Sequence, residues 1–335
     1  MTLTSNERLQ ERLSLALEDR SRGYVDLVSN SNAILTVMRE RGMFKTFSGP
    51  KIRERLMFAE SGTYKRYSGF DFLNPKPAEL INDAEFEAKL AAVSVVLANE
   101  EILKNSGSNQ LMDVMSVHVE GAEQELMDRF VEDAHSDGTE PDQIGGFQLM
   151  LPTTPSAGTY GGISRADHAL WRPRSFNAHS YFAGQTQVTS TSIKPMWNQV
   201  TIELSKGRKG PGLIAASQQH YLAYQGATEA IQRITDETRL SKLGFTALKF
   251  YGAGKSMDIV LEGGIGTAMP DDTSYFIDAD AICFRYHPDR NFAPFGGRQT
   301  PVNQDAIVQH IGFMGELTLR DPQHVAKFYD GTPAS

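Results

Sequence analysis

The sequence predicts an α+β fold, and three observations predict it. One long amphipathic helix occupies residues 109–137. Two alternating runs with a Gly-containing turn between them precede it. After it, strand-like and helix-like segments mix without a regular βαβ rhythm.

At 335 residues the chain has room for a sizeable core and two domains. Its 40% hydrophobic and 22% charged content is ordinary for a globular protein. A net charge of −8 argues against a protein that coats nucleic acid, which would be basic. The single cysteine, Cys283, leaves no partner for an intrachain disulfide and fits a reducing cytosol. The first eight residues contain no apolar signal region, and the longest near-apolar run, Leu90–Ala98, is too short to span a bilayer. The expectation is a chain folded in the cytosol without a membrane address.

Residues 5–41 read as two helices. Leu9, Leu13, Ala16 and Leu17 make a narrow stripe in the first, Gly23 and residues 29–32 interrupt, and the second runs from Ala33 to Arg41 and stops at Gly42. So little apolar surface predicts an arm that packs on something else. In the next stretch Ile52, Glu54, Leu56 and Phe58 alternate with Arg53, Arg55 and Met57. After Glu60-Ser61-Gly62-Thr63 come Tyr64, Arg66, Ser68, Phe70 and Phe72, so the pattern reads as a β-hairpin. From Lys45 to Tyr67 six basic residues face two acidic ones, a local +4. An isolated hairpin is marginal in water, and this one would strand charge if buried in its own domain. It is therefore expected to lie on an acidic neighbouring subunit. Lys51, Arg53, Glu54, Arg55, Lys65, Arg66 and Phe70 are the candidate contacts.

Asn74-Pro75-Lys76-Pro77 closes the hairpin, and the β-branched density of residues 83–98 predicts a buried strand. In the long helix Leu111, Val114, Met115, Val117, Val119, Ala122, Leu126, Phe130 and Val131 recur at close to a 3.6-residue period, with acidic residues mostly opposite. Ser106-Gly107-Ser108-Asn109 marks its start, and Asp137-Gly138 with Pro141 its stop. At 1.5 Å per residue it would be roughly 40 Å long, about three times the usual helix. Such a helix crosses a large core or acts as a strut.

Residues 144–151 read as a short strand and residues 158–165 as a Gly-rich turn, followed by Trp171-Arg172. Residues 180–193 read as extended or loop, 193–204 as a helix, 206–212 as a loop, 213–216 as a strand and 218–240 as mostly helix. Residues 245–284 are strand-rich and broken by glycines, and 306–328 alternate and end in a strand.

No site chemistry stands out. Tyr251-Gly-Ala-Gly-Lys-Ser256 imitates a phosphate-binding loop, but Lys249 occupies the position of the first glycine, so a turn between strands is the better reading. A nucleophile elbow at residues 162–166 would need glycine where Ala166 stands. The eight histidines are dispersed, with no two at the three- or four-residue spacing of a helical metal pair. Asp271-Asp272 and Asp278-Ala-Asp280 have the composition of ordinary acidic turns. No catalytic, metal or cofactor-binding residue is assigned, and the expectation is a chain that is not an enzyme.

Taken together, the order of these parts resembles tailed-bacteriophage major capsid proteins of the Hong Kong 97-type fold. Glu100-Glu101-Ile-Leu-Lys-Asn105-Ser-Gly107 before a long helix is similar to that family's passage into its spine helix. Gly161-Gly162-Ile163-Ser-Arg165 with Trp171-Arg172 is similar to a string in one branch. So is the later series Met196-Trp197, Gly210-Pro211, Tyr221, Gln232-Arg233, Gly244-Phe245 and Asn303-Gln304-Asp305. The resemblance covers roughly residues 45–330. It implies an N-terminal arm (1–44), an extended β-hairpin loop (45–78), a peripheral domain with the spine helix (79–143 and 276–335) and an axial domain (144–275). Gly161, Gly162, Arg165, Trp171 and Arg172 become capsomer-forming or fold-critical positions.

The resemblance also implies self-assembly into pentamers and hexamers of an icosahedral head, built in the host cytoplasm around double-stranded DNA held without sequence-specific contact. Only about 45 residues precede the hairpin. The expected partners are therefore a separate scaffolding protein, unless the chain is already trimmed, a portal and a decoration protein, with no cofactor and no membrane. Lys51 or Lys65 would be placed for the lysine–asparagine crosslink of some relatives, although no pocket for it is evident. Two other classes stay open: a cellular encapsulin-type nanocompartment of the same fold, and a soluble enzyme whose site would involve Lys255 or Asp278.

Overall fold

The computed structural model describes residues 33–57, 64–71, 81–100, 108–182, 188–207, 209–228, 248–262, 269–278, 280–299 and 305–331. The expected first helix, the turn at 60–63, the passage 101–107, the C-terminal half of the helix expected at 218–240, and the strings Gln232-Arg233, Gly244-Phe245 and Asn303-Gln304 lie outside the described residues.

In chain order the elements are α1 (Ala33–Glu40), β1 (Phe44–Thr46), β2 (Ile52–Met57), β3 (Ile81–Phe86), β4 (Lys89–Ala98), α2 (Ser108–Ala134), α3 (Phe147–Met150), β5 (Thr159–Tyr160), β6 (Ile163–Ser164), β7 (Arg174–Asn177), α4 (Ala178–Tyr181), α5 (Ile193–Leu204), β8 (Leu213–Ala216), α6 (Gln218–Thr228), β9 (Leu248–Gly252), β10 (Lys255–Leu261), β11 (Thr273–Ile277), β12 (Ile282–Tyr286), β13 (Ala293–Gln299), β14 (Ala306–Leu319) and β15 (Ala326–Tyr329). The class is α+β, as the sequence predicts.

Two sheets organise these elements. In the first, the 14-residue β14 pairs antiparallel with β4, β12 and β13, and β1 joins parallel to β12. The second runs β7-β15-β11-β8-β10-β9. Its central strands are buried on both faces. Leu213, Ala215, Tyr275, Ile277 and Val260 join the core shared with the first sheet, α1 and α2. The alternate residues Ile214, Ala216, Phe276 and Ile259 join a second core closed by α5 and α6. A period of two between two apolar layers explains why this segment reads as continuous hydrophobic runs.

α5 buries Ile193, Met196, Trp197, Val200, Thr201 and Leu204, one face of a 3.6-period helix. Trp197 stacks on Tyr224 at 5.2 Å and meets Phe250 and Phe276 edge-on. α2 buries Val119, Ala122, Leu126, Phe130, Val131 and Ala134 along one stripe. Phe130 packs edge-on against Phe284, Phe292 and Phe313 at 5.3–5.6 Å. Phe130→Ala is expected to cost about 3–5 kcal/mol in urea unfolding, because three surrounding rings cannot all collapse into the gap.

Several expectations are corrected. α1 is no poorly packed arm: Ile34, Leu35, Val37 and Met38 are fully buried in the main core. Its end is closed by Gly42 at φ +67, with Gly42 N–H on Arg39 O and Met43 N–H on Met38 O, a Schellman closure. Two carboxylates at β10 clamp it: Glu262 Oε2 accepts from Ile34 N (3.2 Å) at its positive end, and Asp258 accepts from Arg41 (3.0 Å) beyond its negative end. The four buried apolar residues of this eight-residue helix were diluted by the polar sequence before them.

The expected strand at 144–151 is a loop followed by the single-turn helix α3. Gly145 N–H goes to Glu316 Oε1 and Gly146 N–H to Ser136 Oγ, so these amides serve side chains and not a ladder. A Cβ on Gly146 would lie 2.3 Å from Ser136 N and 2.6 Å from Ala134 O. The chain can press against the end of α2 only as glycine here. Gly146→Ala is expected to destabilise by about 3 kcal/mol or more, seen as a fall in Tm.

Residues 83–98 form two strands, and β4 is half exposed, with Leu90 and Val96 in water. The partner of β2 is β3, from Ile52↔Phe86 to Met57↔Ile81. Residues 64–71, expected as the return strand, are irregular. The expected domain boundary at 275 cuts through β11, and β15, expected with the peripheral part, pairs with β7 and β11 in the second sheet.

Candidate functional site

β2 points Ile52, Glu54 and Leu56 inward and Arg53 and Arg55 outward. Glu54 is only 3% exposed. It is not stranded: Arg285 Nε and Arg320 Nε each donate to it at 2.7 Å, and Thr318 Oγ1 lies 3.2 Å away. Burial pushes its carboxyl up, but the hydrogen bonds and charges of Arg285 and Arg320 outweigh burial and hold it below the usual range. Glu54 therefore pins β2 of the hairpin to β12 and to the end of β14.

The outward charges pair across the hairpin itself. Lys51 lies 2.9 Å and Arg53 3.0 Å from Glu85, and Arg55 lies 3.8 Å from Asp83. Residues 45–88 hold seven basic and seven acidic residues, so the true hairpin is neutral and the +4 docking surface is corrected. Lys51, Arg53, Glu54 and Arg55, expected to meet a neighbour, are engaged within their own chain. Arg66 Nε donates to Tyr64 Oη at 3.4 Å, and Lys65 also has an interaction partner. All of residues 64–71 are exposed, and among them Phe70 is fully exposed, Tyr64 82% and Tyr67 64%, beside Lys65, Arg66 and Asp71. These are three exposed aromatic rings within seven residues. Tyr64 and Tyr67 were absent from the expected contacts. The signal that could have found them is three aromatics in a segment with no core partner.

Under the hairpin sits a brace. β5 and β6 form a hairpin whose turn residues, Gly161 (φ +58) and Gly162 (φ +75), are both left-handed. A Cβ on Gly161 would meet the Phe86 ring at 2.8 Å and Ala84 at 3.0 Å, and Gly161 O accepts from Glu85 N (3.0 Å). The turn thus presses on β3. Arg165, buried, donates to Leu149 O and Met150 O and sits 5.0 Å over the Tyr160 ring. Trp171 Nε1 donates to Tyr160 O (2.9 Å), and Arg172 donates to Arg165 O and Ala166 O. Gly161, Arg165, Trp171 and Arg172 meet in this brace, whereas Gly162 is at the exposed edge of its turn.

Between hairpin and brace lies a cleft of about 240 Å³, lined in part by Glu85, Glu87, Lys89, Glu140, Tyr160 and Glu316. Glu316 is 5% exposed and accepts from Gly145 N at 2.7 Å. Burial is the main cause that pushes its carboxyl up to about 8.

Residues 251–256 form the turn between β9 and β10, with Ala253 and Gly254 at positive φ. Asp278 accepts from Asp280 N in a tight turn. Among the described residues no group of three or more metal-ligating side chains gathers.

No protein-family model and no curated protein matches the chain. Solved structures do. The cyanophage A-1(L) capsid asymmetric unit is similar with a TM-score of 0.61 at 14% identity, over 88% of this chain and 93% of that one. The capsid of a native GTA particle is similar with a TM-score of 0.54 at 10% identity, over 88% and 90%. The chain has the Hong Kong 97-type capsid fold.

Proposed function

We propose that this chain is the major capsid protein of a tailed phage. It assembles into pentamers and hexamers of an icosahedral head that encloses double-stranded DNA. The observation that carries this reading is the capsid-type fold over 88% of the chain. The exposed aromatic loop supports it, because a closed shell requires each subunit to present patches that are completed by the next copy. A net charge of −8 suits a container whose wall must not grip packaged phosphates. The working partners are further copies of the chain, a separate scaffolding protein, a portal and a decoration protein. The brace residues Gly161, Arg165, Trp171 and Arg172 act by fixing the hairpin's base.

Particles recovered from producing cells test the content of the shell. Nuclease-resistant DNA of uniform length is expected inside them. Particles that hold protein cargo and no DNA would overturn the genome-container reading in favour of a nanocompartment.

A further inference from the structure

β4 stands at an edge of the first sheet. Among the described residues it pairs only with β14, from Lys89↔Gly315 to Ala98↔Ala306. The register continues past the strand, where Asn99 N–H donates to Asp305 O. In an antiparallel pair bonded and non-bonded residues alternate. The odd-numbered residues of β4 therefore bond to β14, and Leu90, Ala92, Ser94, Val96 and Ala98 point their N–H and C=O groups outward. The side chains of Leu90, Ala92, Ser94 and Val96 are exposed as well, whereas Val95 and Leu97 are buried in the main core. Natural sheet edges are blunted by charge, proline or a bulge. β4 has none of these from Leu90 to Ala98, and its register is unbroken. By contrast β13 of the same sheet has Pro294 and a register break between Phe295 and Gln299.

We propose that β4 pairs with β4 of a second copy, antiparallel across a two-fold axis at Ser94. The occupant follows from the strand's own sequence. With Ser94 opposite Ser94, Leu90 falls opposite Ala98, Ala92 opposite Val96 and Ala91 opposite Leu97. At each of these a larger side chain meets an alanine, and no charge meets a like charge, since Lys89 falls opposite Asn99. The outward groups of Leu90 to Ala98 then bond to those of the copy, and two sheets become one. A centre at Ala92 or Val96 would leave part of the charge-free stretch unpaired.

Rings of five or six copies use heterologous contacts, whereas a join across a two-fold axis needs a surface that fits itself. In a shell, β4 supplies the join between rings. This placement rests on the capsid reading, whereas the pairing itself does not.

Ser94→Cys in the full-length chain tests the pairing, both in concentrated solution and in particles. Directly opposed, bonded residues have Cα atoms about 5.5 Å apart, within the reach of a disulfide. Cys283 is buried and takes no part. Under mild oxidation most of the chain is expected to run at twice its mass on a non-reducing gel. Leu90→Cys is the control. Its two copies would stand about 27 Å apart along the ladder, eight residues at about 3.4 Å each, and should not crosslink. Adding Val96→Pro to Ser94→Cys should abolish the crosslink and leave the fold intact, because the Val96 N–H faces outward and proline there costs no bond to β14. Should Ser94→Cys fail to fold, Ala92→Cys combined with Val96→Cys reads the same register. No crosslink in either state, or equal crosslinking at 90 and 94, would overturn the pairing. Particles without the crosslink would overturn the pairing and leave the capsid reading standing. The crosslink without particles would support the pairing and remove only its place in a shell.

Discussion

A chain in which residues 58–80 are replaced by a two-residue Asn-Gly turn is expected to fold normally and to form no shells. Met57 and Ile81 are the last directly paired residues of β2 and β3, so a two-residue type I′ turn can join them without disturbing the register. The inward residues Ile52, Glu54, Leu56, Ala84 and Phe86 all remain. What is removed includes Tyr64, Tyr67 and Phe70, the aromatic surface that the subunit leaves in water. Because that surface has no role inside the subunit, the Tm should stay within a few degrees, while negative-stain images should lose all closed particles. Deleting residues 51–72 would be a poor version of the experiment, since it takes β2 and the Glu54 pin with it. A shortened chain that still closes would remove the loop from assembly.

Glu54→Ala is expected to have the second large effect. It leaves Arg285 and Arg320 facing one another without their shared anion. Breaking a buried pair from one side costs about 3–5 kcal/mol. Arg320 is 31% exposed and can turn toward water, which brings the expectation to about 3 kcal/mol. Urea unfolding at pH 7 reads this directly. The folded value of Glu54 is depressed, so its contribution is present above the ordinary carboxyl range and lost as pH falls through the folded value. The gap between wild type and Glu54→Ala should therefore narrow in acid. Assembly should fail even at denaturant-free pH 7, because the hairpin loses its attachment to β12 and β14. A gap that is absent at pH 7 would mean that the hairpin is held elsewhere.

Local features of this fold were legible in the sequence and distant pairings were not. The helix α5, the strand β8 and the turns at 161–162 and 253–254 follow from periodicity, a short apolar run and glycine-containing turns within a short window. The pairing of β2 with β3 joins segments 23 residues apart along the chain, from Met57 to the residue before Ile81, and no local pattern encodes that register. Counting charge to residue 67 gave a cationic hairpin, because Asp83 and Glu85 arrive only on the true return strand. Glu54 read as a surface contact because its two arginines lie more than 230 residues later. The return of β15 to the second sheet is a non-local crossing of the same kind. The brace was visible as a string of residues, but its action on β3 appears only once Gly161 is seen against Phe86.

The central claim is that this subunit builds a shell. Negative-stain imaging of the purified full-length chain, alone, under molecular crowding and coexpressed with a candidate scaffolding protein, tests it most directly. Closed particles, or rings of five and six subunits, are the predicted result. A monomer or dimer under all three conditions would contradict it.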